Sequence, residues 1–224
     1  MEISLTPMEF ARRAKRLYSE SEAVVDGELR LTYGQFFERC DRWSKALQGM
    51  GVKKGDRVAY IAPNTHSHLE AYYAVPQIGA VLVPINYRLK SEEFEYILNH
   101  CGAKVLCVHP DFYDAIDGIR DQIKTVEAFI GLEDALPNWI DYEAQIHQHE
   151  ASFAPVEIDE LDLITINYTS GTTARPKGVM ITHRNAYINI MGTLAHHHLT
   201  PQDRYLWTLP MFHANGWTFT WINT

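Results

Sequence analysis

The strongest constraint on the fold is a repeated switch between strand-type and helix-type hydrophobic periodicity between residues 57 and 132. Short β-branched, apolar runs alternate with segments whose apolar residues recur every three or four positions, and the connections are short. Chains of this kind form a doubly wound, mostly parallel α/β sheet. Strands are expected at Arg57–Ala62, Ala80–Ile85, Lys104–His109 and Val126–Leu132, and helices at His66–Ile78 with an interruption at Pro76, Glu92–His100 capped by Ser91, and Phe112–Ile123.

The residues before this region predict a smaller helix and hairpin layer. Thr6 and Pro7 are typical of a helix start, and the helix is expected to run to about Tyr18. Asp26-Gly27 predicts a hairpin turn. Thr32 and Gln35 form a capping box before a second helix, which ends at Gly51. The acidic stretch 133–160 is interpreted as a connection, which divides the chain into an N-terminal lobe, 1–150, and the start of a second α/β lobe, 151–224.

A hydroxyl-rich stretch, YTSGTTARPKGV, runs from Tyr168 to Val179 directly after the β-branched run 163–167. The backbone N–H groups of a tight loop form an anion-binding concavity, and hydroxyl groups add further donors. Lys177 adds a point charge, and Gly178 is expected to let the chain turn into the next strand. An ordinary polar turn with a solvated lysine is the alternative, but the ordered run of twelve residues favours a loop that holds a polyphosphate.

Other kinds of site are excluded by pattern. The sequence contains no GxxxxGK[ST], no GxGxxG and no GxSxG. The run His196–His198 does not predict a metal site, because consecutive helical residues point about 100° apart. The formal net charge is −8, and no basic stripe is present, so nucleic acid is not an expected partner.

The stretch 168–179 resembles the phosphate-binding signature of the AMP-forming acyl-activating enzymes, the superfamily of acyl-CoA synthetases, adenylation domains and luciferases. Ala174 stands where the family usually has Gly or Ser, and its small side chain is compatible with that position. The segments VVDGELRLTYGQF, LQGMGVKKGDRVAYIAPN and GAVLVPINYRL also look like the N-terminal lobe of this superfamily. The resemblance covers roughly residues 23–221 and implies the N-terminal part of an acyl-CoA synthetase-like fold.

The resemblance implies a role for each residue of the loop. Thr169 approaches a Mg²⁺ ion, and residues 169–173 hold the β- and γ-phosphates of ATP together with Lys177. The helix predicted from His183 to about His198, capped by Thr182, is expected to add its dipole to this anion site. The cofactor-binding residues implied are Thr169, Ser170, Gly171, Thr172, Thr173, Ala174, Arg175, Pro176 and Lys177.

The segment LPMFHANGW, residues 209–217, resembles a second core motif of the same superfamily, one that lines the acyl and nucleotide pocket. A strand is expected at Arg204–Leu209, which would place His213 at the carboxyl end of a parallel strand, where open sheets bind ligands. The family places this histidine beside the acyl carboxylate, so His213 is the candidate catalytic residue. A buried histidine beside an aromatic cluster is the alternative.

The implied function is that of an AMP-forming fatty acid–CoA ligase, with ATP, Mg²⁺ and coenzyme A as cofactor, metal and co-substrate. The aromatic neighbours of His213 indicate a fatty or medium-chain acid. Members of the superfamily are usually more than twice as long as 224 residues and carry adenine, ribose and second metal contacts beyond this part. We therefore expect the chain alone to be inactive. A truncated, non-catalytic nucleotide-binding or assembly fragment is the alternative.

Further expectations concern location and surface. Cys40, Cys101 and Cys107 lie in apolar contexts without a CxxC pair, which indicates reduced thiols and a cytoplasmic protein. No run of 18 apolar residues occurs, so no transmembrane segment is predicted. An exposed apolar patch leading to self-association is expected if a partner half is missing. Its predicted members are Trp207, Phe212, Trp217, Phe219 and Trp221.

Overall fold

The computed structural model describes residues 3–169 and 175–224. Within these residues the chain forms a two-stranded hairpin and a seven-stranded sheet of order β7-β6-β5-β3-β4-β8-β9. The strands of the sheet are parallel except for the last pair, β8 and β9. The strands are β1 (Glu22–Asp26), β2 (Leu29–Thr32), β3 (Arg57–Ile61), β4 (Val81–Pro84), β5 (Ala103–Val108), β6 (Ala128–Gly131), β7 (Ile140–Asp141), β8 (Leu163–Thr169) and β9 (Lys177–Thr182).

Helices cover both faces of the sheet, as the alternating pattern predicts. Alternate residues of β3 point to opposite faces, with Tyr60 in one apolar cluster and Ala59 in the other. Helices α2, α3 and α6 pack on the first face, and α4 and α5 pack on the second. The helices are α1 (Met8–Leu17), α2 (Tyr33–Gly49), α3 (His66–Ala74), α4 (Ser91–Cys101), α5 (Tyr113–Asp117), α6 (Tyr142–Gln148) and α7 (His183–His196). A turn with left-handed residues, Ala214–Trp217, and a one-turn helix, α8 (Phe219–Ile222), follow.

Most local signals correspond to the observed elements. The capping box of α2 forms, because Thr32 accepts from the backbone N–H of Gln35 and the Gln35 side chain accepts from Thr32. The hairpin of β1 and β2 turns at Gly27, which has φ +57°. Pro76 ends the regular part of α3, and a 3₁₀ turn follows at Pro76–Ile78. No described helix combines the length and the apolar character needed to cross a bilayer.

Four local predictions are wrong. Ser91 does not cap α4; its hydroxyl donates to the Ala115 carbonyl instead. The helix expected at 112–123 is broken at Gly118 into the short α5 and a 3₁₀ turn, Arg120–Gln122. The acidic stretch 133–160 contains β7 and α6, because β7 finds a partner in β6 and Asp141 accepts from Ala144 N–H at the start of α6.

The fourth wrong prediction is the strand at 204–209, whose residues pair with no strand in the described parts of the chain. Side-chain contacts hold this stretch instead, and the ring of Tyr205 stacks on that of Phe219 at 4.9 Å. The lobe division at residue 150 stays a prediction. Strands β8 and β9 extend the same sheet that the earlier strands begin.

Candidate functional site

The predicted phosphate loop connects the two strands of a β-hairpin. Thr169 is the last residue of β8, Lys177 is the first residue of β9, and the two are paired across the hairpin. Thr169, Arg175 and Lys177 are exposed, and Pro176 is half-buried. The hydroxyl group and the ammonium group are therefore accessible to an anion at the carboxyl end of β8.

Five predicted binding residues, Ser170, Gly171, Thr172, Thr173 and Ala174, lie outside the described residues. The exposed turn expected between residues 169 and 177 therefore stays a prediction for its central part.

The segment that contains His213 lies at the same edge of the sheet, although no strand precedes it. We call residues 209–216 the His213 segment. Asn64, which follows the end of β3, donates from Nδ2 to the Leu209 carbonyl at 2.8 Å, and its Oδ1 accepts from Met211 N–H at 2.9 Å. Tyr72 donates to the Met211 carbonyl at 2.5 Å. The carboxyl ends of parallel strands are where open sheets bind ligands, so this segment occupies a ligand-binding edge.

A closed ring of three hydrogen bonds joins β8 to the His213 segment. Thr165 donates to Asn167 Oδ1, Asn167 Nδ2 donates to Asn215 Oδ1, and Asn215 Nδ2 donates back to Thr165 Oγ1, each at 3.0 Å. All three side chains are buried. We call this the neutral ring. Thr169 and His213 each lie two residues from a ring member, so the ring joins the strand before the loop to the segment that carries His213.

The backbone after His213 has a conformation that few residues adopt. Ala214, Asn215 and Gly216 have φ values of +47°, +54° and +57°. Asparagine and glycine accept the left-handed region, whereas alanine pays about 1–2 kcal/mol for it. A side chain at Gly216 would also place Cβ 2.6 Å from the Trp207 ring. The neutral ring and the close packing of Gly216 against the Trp207 indole hold this tight turn. Backbone strain of this kind is typical of functional sites.

His213 itself is exposed and directly precedes the left-handed turn. The alternative of a buried histidine is therefore wrong for this position, while its catalytic role stays a prediction. Its neighbour Phe212 is buried against the Tyr87 ring, with ring centroids 5.1 Å apart in an edge-to-face arrangement. Tyr87 in turn lies 5.4 Å from Phe112. An apolar wall thus adjoins the exposed imidazole.

Two expectations about the phosphate loop are corrected by the strand geometry. Gly178 is not a turn residue; it lies inside β9, opposite Tyr168. The start of α7 does not approach the loop, since β9 separates Lys177 from His183 by about 3.3 Å per residue, or roughly 20 Å in all. The predicted contribution of the α7 dipole is therefore excluded by distance. The capping box of Thr182 and Asn185 does form.

The chemistry of the loop fits a magnesium ion that arrives with a nucleotide. Mg²⁺ takes oxygen ligands and usually keeps several waters and substrate phosphate oxygens, so one exposed hydroxyl, that of Thr169, is a suitable protein ligand. Among the described residues no group of three His, Cys, Asp or Glu side chains is placed to hold a metal.

The predicted apolar patch does not form as expected. Trp221 is 1% exposed and Phe212 9% exposed. The end of the chain folds back onto α3, where the Trp221 indole donates to the Tyr72 carbonyl at 3.0 Å. Trp207 and Phe219 are half-buried, and the Trp217 side chain is not among those described. Exposed apolar residues lie instead at Val179, Met180, Ile188, Met191 and Leu206.

Sequence reasoning missed Asn64, Asn167 and Asn215 as residues that build the site. The available signal was an asparagine inside the apolar run Leu163–Thr169, because asparagine is depleted in strands and a buried amide needs partners.

Comparisons with known proteins agree with this architecture. The family described as AMP-binding enzyme matches residues 10–224. The benzoate–CoA ligase of Arabidopsis thaliana, whose name adds "peroxisomal", is 37% identical over 235 residues, covering 98% of this chain and 40% of that protein. The long-chain-fatty-acid–CoA ligase of Thermus thermophilus is 37% identical over 235 residues, covering all of this chain and 42% of that protein.

Solved structures give the same result. The inhibitor-bound N-terminal domain of FACL13 from Mycobacterium tuberculosis superimposes with a TM-score of 0.88 at 31% identity, covering 97% of this chain and 54% of that one. The chain spans about two fifths of the length of the curated relatives it matches.

Proposed function

Because the chain belongs to the AMP-binding enzyme family, we propose that it provides the phosphate loop and the His213 segment of an AMP-forming acyl-CoA synthetase. The observation that carries the proposal is the neutral ring, which ties the strand before the loop to the segment that presents His213. A carboxylate activated by ATP needs its attacking oxygen and the triphosphate held side by side, and such positioning supplies much of a rate enhancement. The relatives named above are CoA ligases.

In the proposed first step, a carboxylate oxygen of the acid attacks the α-phosphorus of ATP. The bond from that phosphorus to the bridging oxygen breaks, and pyrophosphate leaves. Thr169, Lys177 and the loop between them stabilise the negative charge on the β- and γ-phosphates. His213 orients the attacking oxygen, since an imidazole N–H is a hydrogen-bond donor.

In the proposed second step, the sulfur of coenzyme A attacks the acyl carbon and AMP leaves with the electron pair. The thiol proton passes to solvent. Mg²⁺, when bound, neutralises charge on the phosphates, and the Thr169 hydroxyl would be one of its oxygen ligands.

The acid is proposed to be a fatty or medium-chain carboxylic acid. The apolar wall of Phe212, Tyr87 and Phe112 supports an apolar acyl group. The names of relatives cover both benzoate and long-chain fatty acids, so chain length and aromaticity are variables of the assay. A cytoplasmic location is also proposed, supported by three free cysteines.

The test is carboxylate-dependent exchange of labelled pyrophosphate into ATP, measured on the protein at its full encoded length. The acids are acetate, butyrate, benzoate and dodecanoate. We expect exchange to require an acid and to fall about 10- to 150-fold in Lys177→Ala, because a charge-assisted contact contributes about 1.5–3 kcal/mol. Lys45→Ala, an exposed lysine on α2, is the matched control and should not change the rate. Exchange without an acid, or equal rates in both variants, would contradict the proposal.

The second candidate is nucleotide binding without turnover, which the exposed Thr169 and Lys177 side chains would support by themselves. A MgATP-binding measurement on the same protein preparation distinguishes the two. Binding of MgATP that depends on Lys177, without acid-dependent exchange, identifies the second candidate.

A further inference from the structure

Helix α4 presents two aromatic side chains, one turn apart, to the ends of the phosphate loop. Tyr96 and His100 are four residues apart and therefore lie on the same side of the helix. Their rings stack with centroids 5.2 Å apart and planes 28° apart. We call this the α4 ring pair.

Both ends of the loop contact this ring pair. The Tyr168 hydroxyl lies 2.6 Å from His100 Nδ1, and the two rings meet edge to face at 5.8 Å. On the other side of the loop, the Arg175 guanidinium lies over the Tyr96 ring at 5.3 Å, within the range of a cation–π contact. Residues 168 and 175 lie on either side of residues 169–174. Helix α4 therefore contacts the chain both where it enters the phosphate loop and where it leaves.

The sheet supports this end of the hairpin less than its start. Within the described residues, strand β8 pairs with β4 at Thr165, opposite Leu82. Beyond Thr165 the ladder partner of β8 is β9, the edge strand of the sheet. The position of residues 166–169 therefore depends on their pairing with an edge strand and on side-chain contacts. Asn167 provides one of them through the neutral ring, and Tyr168 provides another on the opposite face.

Gly178 makes the contact of Tyr168 possible. It lies opposite Tyr168 in the hairpin. A Cβ atom at Gly178 would lie 3.2 Å from Tyr168 Cζ and 2.9 Å from Ile166 Cγ2. Because Gly178 has no side chain, the Tyr168 ring can pack against it while its hydroxyl group reaches His100 on α4. Burial, with smaller contributions from Cys101 and Tyr96, raises the pKa of Tyr168, so its hydroxyl group remains protonated and able to hydrogen-bond.

We propose that Tyr96 and His100 are positioning residues for the phosphate loop, which act through Tyr168 and Arg175 and never touch the nucleotide. The nucleotide part of this inference rests on the proposed function. The mechanical part does not, since it concerns only how firmly the ends of the loop are held.

The first test is hydrogen–deuterium exchange of the peptide that spans residues 168–178, without any substrate. Tyr168→Phe removes only the hydroxyl group and should raise the exchange rate of this peptide about two- to tenfold, the range that corresponds to one hydrogen bond. The matched control is Tyr113→Phe, which removes a hydroxyl that donates to the Glu133 carbonyl. This control should leave the 168–178 peptide unchanged.

A second pair of variants separates ring contact from general packing. Tyr96→Phe keeps the ring under Arg175 and should behave like the unchanged protein, whereas Tyr96→Leu removes the ring and should raise exchange of the same peptide. An unchanged peptide in both Tyr168→Phe and Tyr96→Leu overturns the proposal. An equal increase in Tyr113→Phe also overturns it, because the effect would then be global.

The nucleotide part is tested by steady-state kinetics with MgATP. Tyr168→Phe and Tyr96→Leu should raise the KM for MgATP about two- to tenfold, with a smaller change in kcat. A change in kcat alone would contradict the positioning role. If the unchanged protein shows no acid-dependent exchange, the proposed function fails, while the hydrogen–deuterium result still decides whether α4 holds the loop.

Discussion

Two polar clusters of this molecule differ in charge and in burial, one charged and partly buried, the other neutral and buried. The first, which we call the charged network, lies among α2, α3 and α6, where the Arg39 guanidinium binds both Glu70 and Glu143. The Glu70 side chain is 0% exposed and also accepts from the Tyr142 hydroxyl. The second is the neutral ring of Thr165, Asn167 and Asn215, which contains no ionisable group.

Comparison of the charged network with the neutral ring shows which part of the fold contains charged side chains and which does not. The charged network ties helices to one another, and its hydrogen bonds and ion pairs join none of the described residues of the candidate site. The neutral ring lies between β8 and the His213 segment, where we propose that a triphosphate and a carboxylate bind. A carboxylate about 7 Å from a phosphate would oppose it by about 2 kcal/mol at an effective dielectric constant of 20. Amides and a hydroxyl give the same directional hold without that repulsion.

The largest expected effect comes from breaking the charged network. Arg39→Ala leaves Glu70 buried without its cation, and removal of one partner of a buried pair costs about 3–5 kcal/mol. Urea titration should show this loss in the free energy of unfolding. Arg13→Ala, an exposed arginine in α1, is the matched control and should change it by less than about 0.5 kcal/mol. A loss below about 1 kcal/mol in Arg39→Ala would show that the network is not a structural clamp.

Breaking the neutral ring should affect catalysis more than folding. Asn167→Ala leaves Asn215 Oδ1 without its donor and the Thr165 hydroxyl without its acceptor. The expected cost is about 1–3 kcal/mol in unfolding free energy. The misplaced His213 segment should lower the exchange rate about 10²-fold.

The control for this variant is Gln48→Ala, which loses two amide hydrogen bonds with Ala154, remote from the site. Stability should fall there without a comparable loss of rate. Equal rates in the two variants would contradict the positioning role of the ring.

The sequence predicted elements that depend on neighbouring residues, but not those that depend on a distant partner. Periodicity and capping residues predicted the parallel sheet and the caps of Thr32 and Thr182, since both depend on near neighbours. The strand expected at 204–209 was wrong because an apolar run becomes a strand only if a partner strand is free to pair. The missed strand β7 is the converse, a two-residue element that exists because β6 offers an edge.

The predicted site was recoverable only in part for the same reason. Lys177 and His213 stand inside local motifs, so their residue types could be recognised. The residues that bring them together are far apart in sequence: Asn167 bonds Asn215 across 48 positions, and Asn64 bonds Met211 across 147. No local pattern encodes such pairs.

The smallest expected effect distinguishes the clusters by pH. His66 lies 2.8 Å from Asp26 and 3.5 Å from Glu143. Burial alone lowers the pKa of His66, but the hydrogen bond to Glu143, the charge of Glu70 and the bond to Asp26 raise it above 6.5 overall. A raised folded-state pKa contributes stability that is complete below pH 6.5 and is lost as the pH rises through the folded value.

The measurement is the free energy of unfolding from pH 6 to pH 9. The excess stability of the unchanged protein over His66→Gln should shrink with rising pH; the comparison cancels the buried His68 and His183, whose lowered pKa values make stability rise with pH. The variant Asn167→Ala should keep the slope of the unchanged protein, because the neutral ring has no titratable group. An identical slope in His66→Gln would contradict the conclusion that the carboxylates of Glu143, Glu70 and Asp26 raise the pKa of His66.

The most direct test of carboxylate activation at this site follows one oxygen atom of the acid. The protein, at its full encoded length, is given an acid labelled with ¹⁸O in its carboxylate, together with MgATP and coenzyme A, and the products are analysed by mass spectrometry. Attack on the α-phosphorus predicts one ¹⁸O atom in AMP and none in pyrophosphate. Label in inorganic phosphate with release of ADP, or AMP without label, would contradict the claim that the phosphate loop and the His213 segment form one carboxylate-activating site.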